Sequence, residues 1–445
     1  MDTSALNPGV KPREVWSWAA FDFANSGYTT VVLTAVFNAY FVSVVAGNAD
    51  WATFAWTVIV AASNALSLAA MPVVGALADA HAAKKPWLFA ATLCAVLGTI
   101  GLAFAGPDMV LWAAAMVIVS NLGYNVGETL NSAFLPELAK PEAVGKVSGW
   151  GWSFGYCGGI VTLGFSLLLV QMGEAWGLDM RSRVGGTMLI TAAVFALAAA
   201  PLFLWVRERA KPREADASSG PKGFAQCWAL AKASFSEVIR TTRSLSTFRD
   251  FAMLSLCGFC YQAGVSVVIS LSAVYAAAVM GFDTADTILM VFLVNFTAMA
   301  GAFAFGYLQD KIGHKRALGL TLVVWLAMIV VAATAQTREQ FWVAANLAGL
   351  AMGSSQSAGR AIVALLAPPK RLAEFYSFWN MALWLAAIAG PLCYGAVSWA
   401  SGNDQRLAIW VTGLFFAAAI FVLIPIDLKR GMAAAKAADE TACPQ

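Results

Sequence analysis

Charge is what this sequence has least of. Of 445 residues, 28 are Lys or Arg and 25 are Asp or Glu, a charged share of 12%, where a soluble domain carries roughly 25%. The only two histidines, His81 and His314, fall in polar loops, which excludes a histidine proton relay inside an apolar segment. The seven cysteines are scattered. Their one close pair, Cys257 and Cys260, has no histidine nearby and reads as small-residue packing rather than a metal or redox site. No Gly-x-x-x-x-Gly-Lys-Ser/Thr run occurs, and Gly149-Trp-Gly151 lies in an apolar helix rather than after a strand, so nucleotide-driven pumping is disfavoured. No nucleophile and base share a helix face, which argues against an intramembrane hydrolase and against an enzyme generally. A net charge of +3 leaves no footprint for nucleic acid.

What is present is apolar length. Sixty per cent of residues are hydrophobic and the mean hydropathy is +0.70. Twelve windows contain no Asp, Glu, Lys or Arg: 23–49, 51–78, 86–107, 109–127, 147–173, 184–206, 251–282, 287–309, 317–337, 340–359, 375–403 and 407–426. About 20 residues cross roughly 30 Å of hydrocarbon as a helix, and these lengths do not suit barrel strands. The expected fold is an all-α membrane protein of twelve transmembrane helices in two six-helix bundles, 15–206 and 251–428. The first run exceeds a signal-peptide core, so it is expected to stay in the mature chain. Residues 1–14 form a polar N-terminus and 429–445 a tail expected to be disordered. The linker 207–250 holds 14 charged residues in 44. Within it, Phe224, Trp228, Ala231, Phe235 and Val238 fall at helical spacing, the mark of an amphipathic interfacial helix. Lys and Arg divide 23 to 4 between the two sides, with Arg360 left inside a span. Both termini are therefore expected to be cytoplasmic, in a multi-pass protein of a cell inner membrane.

The two halves repeat at an offset of 231 residues: Asn64 with Asn295, Gly75 with Gly306, Asp79 with Asp310. Small residues recur every four positions in spans five and eleven, where Gly151, Gly155 and Gly159 match Ala382, Ala386 and Gly390. Such spacing lets helix backbones approach closely in lipid, and repeated halves mark a secondary transporter. The loops Gly75-Ala-Leu-Ala-Asp79 with Lys84-Lys85, and Gly306 to Asp310 with Gly313 and Arg316, are similar to the signature of the major facilitator superfamily. Physically, an Asp at a helix end facing basic residues can form a latch that opens as the halves move.

Polar residues sit on spans one, four, seven and ten at i, i+3, i+4 and i+7 spacing, so these four are expected to line one cavity. Span one offers Asp22, Asn25, Ser26 and Thr29; span four Asn121, Asn125, Glu128 and Ser132. Span seven offers Ser255, Gln262, Ser266 and Ser270, and span ten Asn346, Gln356 and Arg360. Spans three, six, nine and twelve are almost free of polar groups, as lipid-facing helices are. Asp22, Glu128 and Arg360 each stand eight residues, about 12 Å, from their cytoplasmic helix ends, so they can meet at one level. Three roles compete: Arg360 docks a substrate carboxylate while Asp22 or Glu128 carries a proton; Glu128 and Arg360 form an inner gate; or they are a structural pair. Trp150, Trp152 and Tyr156 in span five, with Trp379 and Trp384 in span eleven, either stack on a substrate or serve packing.

The segment Trp18-Ala-Ala-Phe21-Asp22-Phe-Ala-Asn25-Ser26-Gly27-Tyr28 resembles the first-helix motif of the vacuolar amino-acid effluxer family, the autophagy-linked branch of the superfamily. Asn131 to Pro136, Ser148 to Gly159 and Gln356-Ser-Ala-Gly359-Arg360 resemble it in the same order. Leu130 stands where that family has tyrosine, and Gly359 and Ala361 where it has serines. The resemblance implies amino-acid export and carries over Asp22, Asn25, Tyr156, Gln356 and Arg360 as site residues. It does not carry over Glu128, which rests on depth and symmetry. The expected activity is movement of a small carboxylate-bearing or zwitterionic metabolite, in first place an amino acid. The mechanism is alternating access by a monomer driven by an ion gradient, in first place protons, with no cofactor and no metal. Export of larger amphipathic compounds or sugars is the alternative, and a transport-dead sensor is disfavoured because 44 linker residues scarcely make an output domain.

Overall fold

The computed structural model describes residues 3–209, 248–282, 284–402 and 404–441. Among the described residues twelve long helical segments follow one another. They are α1 (Pro12–Val45), α2 (Ala52–Ala80), α3 (Lys84–Leu102), α4 (Val110–Ser132), α5 (Val144–Ala175) and α6 (Met180–Trp205), then α7 (Arg249–Met280), α8 (Thr284–Ile312), α9 (His314–Thr334), α10 (Arg338–Leu366), α11 (Leu372–Ala400) and α12 (Gln405–Leu423). Eleven are long and apolar enough to cross a membrane. The other, α10, has the length at 29 residues, and its polar face lowers its hydropathy. The expected amphipathic helix at 224–238 lies outside the described residues.

Two expectations about the ends are corrected. α1 begins at Pro12, where the missing N–H costs nothing in a first helical turn. The tail is helical: α13 (Leu428–Thr441) packs on α7 and α10, burying Ala435. It is anchored where Asp250 accepts Arg430 Nε and Nη2 at 2.8 and 2.6 Å. Alanine-rich composition favours a helix once such an anchor exists.

α1 changes pitch midway. After Tyr28 it passes through wider π-helical turns at Thr29–Ala35 and Phe41–Val45. The β-branched run Thr29-Thr30-Val31-Val32 crowds a regular helix, and the Thr34 hydroxyl donates to the Thr29 carbonyl five residues back. Wider turns of this kind gather at functional sites.

The halves meet where α5 packs on α8 and α10, and α2 on α11. Glycine sets the distance: a Cβ on Gly149 would lie 2.5 Å from the Ala302 carbonyl oxygen and 2.8 Å from Gly306 Cα. On the outer surface, Leu97, Leu197, Leu414 and Phe421 are largely exposed, the apolar coat that α3, α6 and α12 offer to lipid.

Candidate functional site

Because α1, α4, α7 and α10 bring their polar faces inward, they enclose a central cavity of about 370 Å³. Its end nearer the two termini, the near end, is polar: Asp22, Asn25, Ser26, Glu128, Tyr156, Gln262 and Gln356 line it, with Tyr124 and Trp152, while Asn295 lines the cavity farther along. Its far end is mostly apolar, walled by Met290, Ala332, Phe341 and Ile409, with Thr34 beside them.

Beneath the polar end lies an ion pair between the halves. Arg360 Nη1 donates to Asp22 Oδ2 at 2.7 Å, its Nε to Ser148 Oγ at 3.2 Å and its Nη2 to the Ser148 carbonyl at 3.0 Å. The guanidinium sits 4.8 Å from the Trp18 ring centroid and 5.2 Å from that of Trp152. Asp22 Oδ1 accepts from Asn131 Nδ2 at 2.8 Å. Arg360 and Asp22 are 3% and 4% exposed. They fit only because position 151 is glycine, where a Cβ would lie 2.5 Å from Arg360 Nη2 and 2.6 Å from Asp22 Oδ2. Burying both charges is tolerable because they face one another and each is further hydrogen-bonded, Arg360 to Ser148 and Asp22 to Asn131.

Glu128 is placed differently. It lines the cavity, accepts from Asn25 Nδ2 at 2.7 Å, and among the described residues has no ion-pair partner. Asn25 Oδ1 and the Trp152 indole N–H, on two residues that line this end, are buried without a hydrogen-bond partner among the described residues. Such unsatisfied buried groups are rare and favour a ligand or water as partner.

Below the pair, two carboxylates join the halves again. Asp79 at the end of α2 accepts from the backbone N–H groups of Ala373 and Glu374 at 3.1 and 2.9 Å, in the first turn of α11. Asp310 near the end of α8 accepts from those of Gly145 and Lys146 at 3.0 and 2.9 Å, in the first turn of α5. Each caps a helix whose first amides have no partner of their own.

The family model described as vacuole effluxer Atg22-like matches residues 38–145 and 142–436. The chain belongs to the Atg22-like vacuole effluxer family. Among relatives, the MFS-type transporter YxiO of Bacillus subtilis is 24% identical over 92% of this chain and 93% of its own length. Autophagy-related protein 22 of Coccidioides immitis is 20% identical over 89% and 75% respectively. In fold the chain is similar to the human organic anion transporter MFSD10, with a TM-score of 0.71 at 17% identity over 93% of this chain and all of that one. It is also similar to the fucose:proton symporter FucP of E. coli, with a TM-score of 0.66 at 15% identity over 93% and 97%. The fold is that of the major facilitator superfamily, and family and fold are those of a membrane transporter, not an enzyme.

In this Atg22-like chain the expected residues separate into groups. Asp22, Asn25, Ser26, Glu128, Tyr156, Gln262 and Gln356 converge on the cavity. Arg360 does not line it, and its partner is Asp22 rather than Glu128, which corrects the facing Glu128–Arg360 pair. Asn125 also turns away, donating to Asn64 Oδ1 at 3.2 Å and Ser67 Oγ at 2.9 Å on α2. Trp150 donates to the Tyr307 hydroxyl at 3.1 Å across the α5–α8 contact, and Trp379 packs on Tyr261 with centroids 6.4 Å apart. Asp79 and Asp310 hold backbone amides of the opposite half, not the facing basic side chains that the loop signature suggests. Arg316 stands outside both latches. α9 and α12 are not wholly turned to lipid, since Trp325, Met328 and Ile409 line the cavity. Sequence reasoning missed Tyr124 and Asn295. The first lies four residues before Glu128 on the same helix face, and the second was visible as the repeat partner of Asn64.

Proposed function

We propose that this protein moves a small amphipathic metabolite with an amino group, foremost an amino acid, by proton-coupled alternating access. It works as a monomer in a cell inner membrane with both termini cytoplasmic. The observation that carries the reading is the division of charge in the site. Arg360 is spent on Asp22 and Ser148, whereas Glu128 faces the cavity with one neutral partner. A carboxylate at membrane depth costs on the order of 3 kcal/mol while charged and alone. An ammonium group or a proton relieves that cost, and competition between the two for one carboxylate is a route to coupling. Asn25 Oδ1 supplies a second acceptor to an ammonium, and the Trp152 indole N–H a donor to a carboxylate. The apolar far end takes the side chain.

In this reading the structure is the state closed toward the cytoplasm. Asp22–Arg360–Ser148 is the inner gate, with Asp79 and Asp310 as latches and Gly75 and Gly306 as close-approach points beneath it. The length of the apolar wall favours a second reading, a bulkier amphipathic substrate. Thermal-shift screening of the purified protein against amino acids, sugars and quaternary amines separates them, because a ligand of the folded state raises the melting temperature by mass action. An apolar amino acid is expected to stabilise the wild type, with affinity reduced at least tenfold in Glu128→Gln. Equal affinity in that variant refutes the ammonium site, and stabilisation by bulky amphiphiles alone moves the conclusion to the second reading.

A further inference from the structure

A groove of about 540 Å³ opens on the near face between the start of α9 and the α12–α13 corner, away from the central cavity. Arg316 and Lys429 line it, both exposed, and neither side chain pairs with another among the described residues. Lys315 forms its floor, with Nζ donating to the carbonyls of Ile424 and Ile426 at 2.7 Å each. The one acidic group on its rim among the described residues, Asp427, turns its Oδ1 to the Lys429 and Arg430 amides at 2.9 and 3.2 Å, so two cations face one carboxylate there. Arg430 is held by Asp250. Among the described residues no side chain caps the first amides of α9, which follow Gly313 at φ 94°.

The first half contains the same corner, filled. Lys85 Nζ donates to the Phe203 and Val206 carbonyls at 2.8 and 2.7 Å, as Lys315 does at the end of α12. Two residues beyond Val206, the Glu208 carboxylate accepts from the Lys84 amide at the start of α3. Arg209, next along, donates to Glu14 at 3.0 Å. In the second half, the residue two beyond Ile426 is Leu428 and the next is Lys429. Where one half puts its own anionic oxygen on a helix start, the other leaves the amides open and adds two free cations. The lip below is apolar, with Ile424 63% and Phe421 72% exposed.

We propose that this groove binds the phosphodiester headgroup of an anionic phospholipid in the near leaflet. Arg316, Lys429 and the α9 amides hold the phosphate where Glu208 stands in the first half. The apolar lip beneath the charges selects a lipid over a free anion, because acyl chains continue down Ile424 and Phe421. Occupancy ties α9 to the α12–α13 corner and so steadies the second half as a body.

Native mass spectrometry of the full chain in detergent, titrated with phosphatidylglycerol, phosphatidylethanolamine or inorganic phosphate, tests this. Phosphatidylglycerol is expected to be retained well above phosphatidylethanolamine. Retention should weaken about fivefold for Arg316→Gln or Lys429→Gln and roughly 25-fold for both, and stay unchanged for Arg13→Gln, an exposed base on the same face. Size-exclusion profiles confirm folding, and the single variants serve if the double one fails. Equal retention of the two lipids by the wild type, or undiminished phosphatidylglycerol retention in the variants, overturns the site. Displacement of phosphatidylglycerol by millimolar phosphate assigns it to a free anion and overturns the lipid.

Discussion

Asp22→Asn is the sharpest probe of the inner gate. Arg360 reaches the first half through three contacts, one to Asp22 and two to Ser148, and is 3% exposed. Removing the carboxylate leaves a buried guanidinium without its counter-charge, and breaking such a pair costs about 3–5 kcal/mol. That cost falls only on the state in which the halves meet here, so it appears as a shift between states rather than as simple loss of stability. Three kcal/mol corresponds to about 150-fold in the equilibrium, enough to turn a 99:1 preference for this state into a minority. Thr34 is exposed and lines the far part of the cavity, so Thr34→Cys in a cysteine-free background reports far-side access through a membrane-impermeant thiol reagent. Labelling is expected to be near complete alone and below half with Asp22→Asn. Arg360→Met added to Asp22→Asn removes the stranded charge and is expected to restore part of the labelling. Wild-type labelling in Asp22→Asn, or a double variant as poor as the two single effects added, refutes the gate.

Two further outcomes follow from the same geometry. Gly149→Ala is expected to lower the melting temperature and the yield of folded protein, because its methyl group meets the Ala302 carbonyl across the α5–α8 contact. Gly164→Ala, with open space around its Cβ, is expected to be neutral or to gain up to about 1 kcal/mol from helix propensity; similar melting temperatures for the two variants would contradict the packing argument. Asp79→Asn with Asp310→Asn weakens both helix caps at once and is expected to raise thiol labelling of a cysteine at Ser377 from the near side. Unchanged labelling at that buried position sets the latch reading aside.

Length, hydropathy and the 231-residue repeat were enough to read a twelve-helix fold in two halves, because lipid allows few ways to satisfy a backbone. The cavity faces were legible too, since Asp22, Asn25, Glu128, Gln262 and Gln356 share helical spacing with their neighbours. Depth along each helix was legible as well, at 1.5 Å per residue. Rotation and partner choice were not. Glu128 and Asp22 lie at one level, and only the crossing of α1 with α5 and α10 decides that Arg360 pairs with Asp22 while Glu128 stays in the cavity. Asn125 obeys the same periodicity as Glu128 and still turns to α2, because Asn64 and Ser67 offer it hydrogen bonds there. The latches show the same limit: the loop signature names Asp79 and Asp310, but their partners are backbone amides, which leave no trace in residue type. A sequence records which groups are costly to bury; which of them meet is settled by how the helices pack.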